Sequence, residues 1–345
     1  MAAEWLIENA APVICYRTLA ELMDVSDTKL LQRNIAAVLS LPQTQKRLAL
    51  LKNLDFSRIH GSNSTYLENV LPMLSDFGLH YEIDAFRQVA DSCMASTKLS
   101  YELLSYYDRI IACPFLLRSK IPHIGLLDFA IERIHTIHDF TKHMNFDIYD
   151  DIKDYKGVPK SFQNRPLIKP ALAYGDKCKL PLIYDIAAMA EVYHGVPPGV
   201  QEKIDNIINY VLSPEYDIVE CMYGILSAGQ RKYYAMGWDC KKPFNDNQGY
   251  SNPNLHRLLL YSHFPTAVKS MWFQNAMDYL MQYRTQNGTF IFPKAYLPET
   301  DSNWILGSHM SLMENRRQKQ WIEIESTFYM LKMCFRNAVK FAFVD

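Results

Sequence analysis

Residues Gly288–Thr327 read GTFIFPKAYLPETDSNWILGSHMSLMENRRQKQWIEIEST. Aromatic residues are interleaved there with Lys294, Glu299, Asp301, His309, Glu314, Arg316, Arg317, Glu323 and Glu325, and Gly288, Pro293, Pro298 and Gly307 interrupt the run. No helical period sets in before Gln320. Apolar helical runs with short breaks make up most of the remaining chain. A polar, aromatic insert held among helices is the arrangement that lines a cavity, because the helices supply rigidity and the insert supplies groups.

Working outward, the apolar spacing predicts helices over Trp5–Met23 with a break at Pro12, Lys29–Leu39 capped by Ser26-Asp27, and Pro42–Asn53. Further helices are expected over Tyr66–Asp76, capped by Ser64 or Thr65 with Glu68 placed for a capping box, and over Ile83–Thr97. Tyr101–Leu117, Leu126–His143, Leu182–His194, Val200–Leu212, Leu255–Tyr261, Ala267–Tyr283 and Gln320–Val339 complete the set. Two further irregular segments intervene, Phe146–Pro181 and Ser213–Pro253; structureless runs of such length inside a compact chain commonly serve a site. Beyond Gly288–Phe292 there is no β-alternation, and no strand–helix alternation of the kind that builds a parallel sheet. The expected class is all-α, as five or six helical hairpins in one domain spanning 1–345.

Composition bounds the function. Of 345 residues, 49% are hydrophobic and 21% charged, enough for a large core and too apolar for wholesale disorder. Aromatic content is 13%, with 22 tyrosines, whose apolar bodies and polar tips suit a lined cavity or packing between helices. A net charge of -1 argues against a nucleic-acid partner. Seven cysteines at scattered spacings, with no CxxC, read as reduced thiols in a cytoplasmic protein. The N-terminus lacks a basic region ahead of an apolar core, and no apolar run approaches the roughly 18 residues that span a bilayer.

One segment is more specific than periodicity. Tyr279-Leu280, three residues, Arg284, three residues, Gly288, one residue and Phe290 match the spacing aromatic-aliphatic-x3-Gln-x3-Gly-x-Trp, with Arg for Gln and Phe for Trp. This resembles the QW repeat at the helix-to-turn junction of triterpene cyclases and of the wider α/α-toroid group, which includes protein prenyltransferase β-subunits. Pro12–Leu19 followed by Glu21-Leu22 resembles the openings of uncharacterised squalene-cyclase-like bacterial proteins. The resemblance implies an α/α toroid around a central cavity. Two family motifs depart from pattern. No DxDD occurs, Asp147-Ile148-Tyr149-Asp150-Asp151 being the nearest string. Asp91-Ser92-Cys93 has the spacing of prenyltransferase zinc ligands, but on a first-half helix where a buried Cys is ordinary packing.

Several constellations carry possible chemistry, each beside a structural alternative. Asp150-Asp151-Ile152-Lys153-Asp154 is a DDxxD string that on one helical face would chelate Mg²⁺, or else is a solvated acidic turn. Its companion NDxxSxxxE is missing, Asn245-Asp246 being followed by Asn247-Gln248-Gly249. Tyr233–Cys240 offers Tyr234, Trp238 and Asp239: a carboxyl beside an apolar plate becomes a proton donor or base near neutral pH, or Asp239 caps a turn over a packed Trp238. In the opening stretch His309 and Glu325 are acid/base candidates, with Arg316 or Arg317 as the partner that a buried Glu325 needs and Trp304 among the lining aromatics. The alternative is an ion pair that only closes the fold. Glu68 and Asn69, and Tyr184 and Asp185, sit at helix starts where ligands bind.

No phosphate loop, GxSxG elbow or HExxH helix is present, which lowers nucleotide hydrolysis, hydride transfer and zinc proteolysis. The expectation is an enzyme acting on a hydrophobic, terpenoid-like small molecule by acid/base chemistry. Asp239, Glu325, His309 and Tyr234 would be catalytic, Trp238, Tyr184, Asp185, Glu68, Asn69, Trp304 and Arg316 would bind substrate, and no redox cofactor or bound metal is expected. Paired carboxylates with aromatic plates equally suit a carbohydrate-active α/α barrel, and a helical-repeat scaffold that binds without catalysis is the third reading.

Overall fold

A computed structural model describes residues 2–55, 57–97, 104–173, 178–219, 222–229, 231–241 and 252–335. The expected helix start at Tyr101, the helix end at Val339 and the string Asn245-Asp246 lie outside them. The chain divides into two compact units, Met1–His123 with Phe244–Asp345, and Ile124–Pro243.

The first unit begins with α1 (Ala2–Asn9) and α2 (Pro12–Arg17), split at Pro12 as expected, and α2 continues as a π-turn over Thr18–Leu22. Next comes α3 (Thr28–Ser40), whose Asp27 cap accepts from Lys29 N and Leu30 N, then α4 (Pro42–Lys52), α5 (Leu67–Asp76), α6 (Asp84–Thr97) and α7 (Tyr106–Arg118). Residues Leu67–Leu74 of α5 and Ile110–Leu116 of α7 are buried on every side, whereas α3 buries only Val38. A helix apolar all round is enclosed, and one with a single stripe covers others.

The second unit holds α8 (Leu126–Thr141), α9 (Pro170–Ala173), α10 (Ile183–Val192) and α11 (Pro198–Leu212). Residues Ile183–Ala190 of α10 are all buried. The unit also contains a small sheet, which corrects the expectation of no strands here. Its strands β1 (Tyr149–Asp150), β2 (Leu167–Ile168), β3 (Gly224–Ser227) and β4 (Tyr233–Met236) lie in that order, with β2 and β3 parallel and the outer pairs antiparallel. Gly224 (φ 134°) allows β3 to approach β2, since a Cβ there would lie 2.2 Å from the Pro166 carbonyl oxygen.

The first unit resumes with α12 (Asn252–Tyr261), α13 (Pro265–Val268), α14 (Met271–Met281) and α15 (Trp321–Phe335). After α14 the chain turns tightly at Thr285–Thr289, with Gly288 left-handed (φ 80°) and Arg284 bridged to Phe290. The chain therefore passes from helix to tight turn within Tyr279–Phe290. The final helix α15 packs against α1, the π-turn and α12. No described helix is long and apolar enough to cross a membrane.

Candidate functional site

Within the first unit, the stretch 288–320 has no regular helix but is fixed residue by residue to α15. The Phe290 N–H donates to Thr327 Oγ1 (2.9 Å), the Phe292 N–H to Ser326 Oγ (2.9 Å) and the Leu312 N–H to Glu325 Oε1 (2.8 Å). The Thr289 hydroxyl bonds Glu323. Three backbone N–H groups that a buried loop leaves without a ladder are thus paired by three consecutive side chains of one helix. The left-handed Asn303 and Gly307 flank a short turn over Trp304–Leu306, and Glu299 pairs with His309 across the loop.

Glu325 is 0% exposed. Arg316 reaches it through Nη2 (3.0 Å), donates Nη1 to the Leu297 carbonyl (2.7 Å), lies 3.3 Å from Glu299 and stacks 4.2 Å from the Trp321 ring centroid. Burial raises the Glu325 pKa to about 8 against the opposing pull of Arg316 and the Leu312 N–H, with Glu314 and Glu299 adding to the rise. Glu314 accepts the Ala11 N–H (2.7 Å) at the start of α2, and burial raises it to about 7. Of the two expected partners, Arg316 is the one that reaches Glu325, and Arg317 is exposed.

His309 is 4% exposed and its Nδ1 lies 2.6 Å from the Thr300 carbonyl oxygen. Burial lowers its pKa, which leaves a neutral ring. The neighbouring Arg47–Asp301 ion pair joins α4 to the loop. Trp304 donates its indole N–H to Asp76 (2.6 Å) and its backbone N–H to Asn69 Oδ1 (3.2 Å). Asn69 in turn donates to the Gly61 and Asn63 carbonyls, so it fastens two loops together. Glu68 holds His60 (3.0 Å) and the Gly61 N–H. That corrects the capping-box expectation, because Tyr66 stands at the N-cap without a side-chain bond.

Around Trp304 the structure assembles residues that the sequence did not single out. Arg118 pairs with Asp76 and lies over the Trp304 ring (4.9 Å), His256 meets that ring edge-on (4.8 Å), and Phe115 packs at 5.8 Å. Burial depresses His256 to about 3, with the adjacent Arg257 guanidinium acting in the same direction. Burial pushes the Asp76 carboxyl up, but Arg118 and Arg17 hold it below its ordinary value. Arg17 bonds Glu21 through Nε (2.6 Å) and Nη2 (3.0 Å) and donates to the Asp76 carbonyl, while Lys332 on α15 also reaches Glu21 (2.9 Å). The π-turn places Glu21 between these two cations; a single extra residue per turn is a recurrent means of re-aiming a side chain. Tyr329 donates to the Met310 carbonyl (2.7 Å).

In the second unit, Trp238 is left-handed (φ 60°), its carbonyl accepts the Ile183 N–H (2.9 Å), and its ring meets Tyr184 edge-on at 5.8 Å. Asp239 beside it is 2% exposed. Asp185 forms a buried two-point ion pair with Arg133 (2.9 and 2.8 Å) and accepts the Leu182 N–H (2.9 Å), so it caps α10. Tyr234, expected to orient or relay a proton, stands on β4 and is 60% exposed. The DDxxD string does not share one helical face. Asp150 closes β1 and accepts from the Tyr155 hydroxyl, and Asp151 caps a single 3₁₀ turn. Asp91 in α6 accepts from the Tyr81 hydroxyl, and Cys93 is buried. Among the described residues, no group of three or more His, Cys, Asp or Glu side chains converges as a metal site would require.

Comparison with known protein families, with curated proteins and with solved structures returns no match.

Proposed function

We propose that the unit formed by Met1–His123 and Phe244–Asp345 carries an acid/base site for a small molecule with an apolar body. Glu325 is the proton-transfer group, Arg316 positions it, and His309 contributes from the facing loop. The observation that supports this most is Glu325 itself, wholly buried and titrating near 8, which makes it a usable proton donor around neutral pH. A second support is the number of buried charges in the same unit. Burying Arg17, Arg47, Arg257, Glu68 and Lys332 in one unit is seldom the most stable solution, and such clusters gather at functional sites. The alternation of enclosed and one-sided helices and the turn at Tyr279–Phe290 favour the α/α-toroid arrangement, and with it a terpenoid-like substrate.

Incubation with isoprenoid alcohols, isoprenoid diphosphates and oligosaccharides, followed by mass spectrometry of the products, tests the reading. The wild type is expected to convert an isoprenoid, and Glu325→Gln to lose that turnover while retaining its circular dichroism spectrum. Unchanged turnover in Glu325→Gln refutes it. A non-catalytic scaffold is the second reading, favoured by the two bonds that fix Glu325 to Leu312 and Arg316. On that reading Glu325→Gln changes stability alone.

A further inference from the structure

Strand β4 (Tyr233–Met236) ends the small sheet of the second unit, and no other strand among the described residues lies along its outer side. The direction of its backbone groups follows from its neighbours. Beside the hairpin turn the Ala228 N–H donates to the Lys232 carbonyl (2.8 Å), so that pair is hydrogen-bonded and so is every second pair along the ladder. Those pairs are Leu226 with Tyr234 and Gly224 with Met236; Ser227 with Tyr233 and Ile225 with Ala235 fall between them. Ile225 agrees, since its N–H turns the other way and donates to the Pro166 carbonyl (2.9 Å) at the head of β2. The N–H and C=O groups of Tyr233 and Ala235 therefore point away from β3, and no other described backbone group bonds them. Natural sheets close such an edge with a charge, a Pro or a bulge, and β4 has none of the three along its length. Tyr234 (60% exposed) and Ala235 also leave their side chains open to solvent.

Cations gather at one end of this edge. Arg231 and Lys232 lead into the strand, and the Tyr233 hydroxyl donates to the Lys156 carbonyl (2.8 Å), which brings Lys156 alongside. The Arg231 stem packs over Gly157, where a Cβ would lie 2.8 Å from Cγ. All three side chains are exposed and make no ion pair with a described residue, whereas Lys153 and Lys169 pair with Asp151 and Asp147. Two carboxylates, Asp150 and Asp154, act on Tyr155 as Tyr233 does, and Asp150 accepts the Tyr155 hydroxyl (2.7 Å). The hairpin from Gly224 to Met236 contains no carboxylate of its own. We propose that the outer edge of β4 binds an extended acidic peptide. The peptide adds a fifth strand by pairing with Tyr233 and Ala235, and its carboxylates meet Arg231, Lys232 and Lys156. Backbone pairing supplies the affinity in this mode, and the flanking cations select the sign of the partner's charge. A nucleic acid would satisfy the cations but carries no row of N–H and C=O groups to match the edge. The inference is independent of the acid/base reading, which concerns the other unit.

The probe is a fluorescein-labelled peptide of alternating acidic and valine residues, EVEVDVE, with blocked termini. Its comparators are the same peptide N-methylated at its three central amides, the basic peptide KVKVKVK and the neutral peptide TVTVTVT. Fluorescence polarisation with the full chain reads affinity, and amide resonances of ¹⁵N-labelled protein report the place. The acidic peptide is expected to bind tenfold or more tighter than each comparator, to move the Tyr233 and Ala235 amides most, and to slow their hydrogen exchange. Before it is added, those two amides should exchange faster than Tyr234 and Met236, which bond β3. Ala235→Pro removes one outward N–H and spares the bonds to β3, so it should weaken binding tenfold or more; Arg231→Glu with Lys232→Glu should do the same. Equal binding of the N-methylated peptide overturns the proposal, and so does equal binding of the neutral one. An acidic peptide that leaves Tyr233 and Ala235 unmoved at millimolar concentration also overturns it. A ten-residue oligothymidylate that displaces the acidic peptide, with N-methylation making no difference, assigns the cations to nucleic acid instead. Should Ala235→Pro fail to fold, the wild-type comparison of the acidic peptide with its N-methylated form decides alone.

Discussion

Replacing Glu325 by Gln removes one titrating group while keeping an oxygen that can accept the Leu312 N–H. In the folded protein this carboxyl titrates near 8, against 4.5 in the open chain. The folded state therefore holds a proton that the unfolded state has released throughout that interval. As pH rises from 4.5 the unfolded chain ionises first and gains free energy, so the wild type loses stability until about pH 8 and is level above it. The gap, at about 1.36 kcal/mol per pH unit, amounts to about 5 kcal/mol. Glu325→Gln has no such slope. Glu314 and the other carboxyls titrate in both proteins, so the difference between variant and wild type isolates Glu325. Urea unfolding of both at half-unit steps from pH 5 to pH 9 reads that difference. The variant should gain on the wild type by several kcal/mol across the range. A difference independent of pH, or a wild type that strengthens with rising pH as a carboxylate dominated by Arg316 would, refutes the reasoning.

Three further outcomes follow from the geometry. Arg133→Met should destabilise the protein by about 3–5 kcal/mol, since it strands a buried Asp185; Arg133→Met with Asp185→Leu should recover part of that loss in the same unfolding assay. Gly224→Ala should cost about 1–3 kcal/mol through backbone strain and more through the clash of its Cβ with the Pro166 carbonyl, and amide exchange at Ile225, which donates to that carbonyl (2.9 Å), should accelerate. Trp304→Phe should cost about 1–3 kcal/mol by removing the indole donor to the half-buried Asp76, with the loss read from the thermal midpoint.

The helices were legible because their signals are local. Pro12, Asp27 and Pro42 mark starts by fixing φ or supplying an oxygen, and each stands where the structure places a boundary. Strands β1 and β2 were not legible: two residues carry no period, and β2 pairs with β3, more than fifty residues away. The DDxxD spacing suggested a helical face because four residues make about one turn, yet the segment is a strand end and a 3₁₀ turn. For the candidate site, the sequence identified Glu325, Arg316 and His309 as polar groups in an aromatic run and offered Arg316 or Arg317 as the partner of Glu325. It gave no signal for Asp76, which Trp304 reaches across 228 positions, nor for His256 and Arg17, which read as ordinary helix residues. Ser326 and Thr327 fell inside the expected final helix with no role assigned to them. Their work is to receive backbone N–H groups from the loop, a role that only the folded arrangement reveals.

The central claim is that a fully buried Glu325 exchanges its proton near neutral pH in the native protein. Carboxyl ¹³C NMR of glutamate-labelled protein, with Glu325 assigned by its loss in Glu325→Gln, measures this directly. A titration midpoint near 8 is the result the account predicts. A midpoint at or below 4.5 would make Glu325 a permanently charged tie to Arg316 and contradict it.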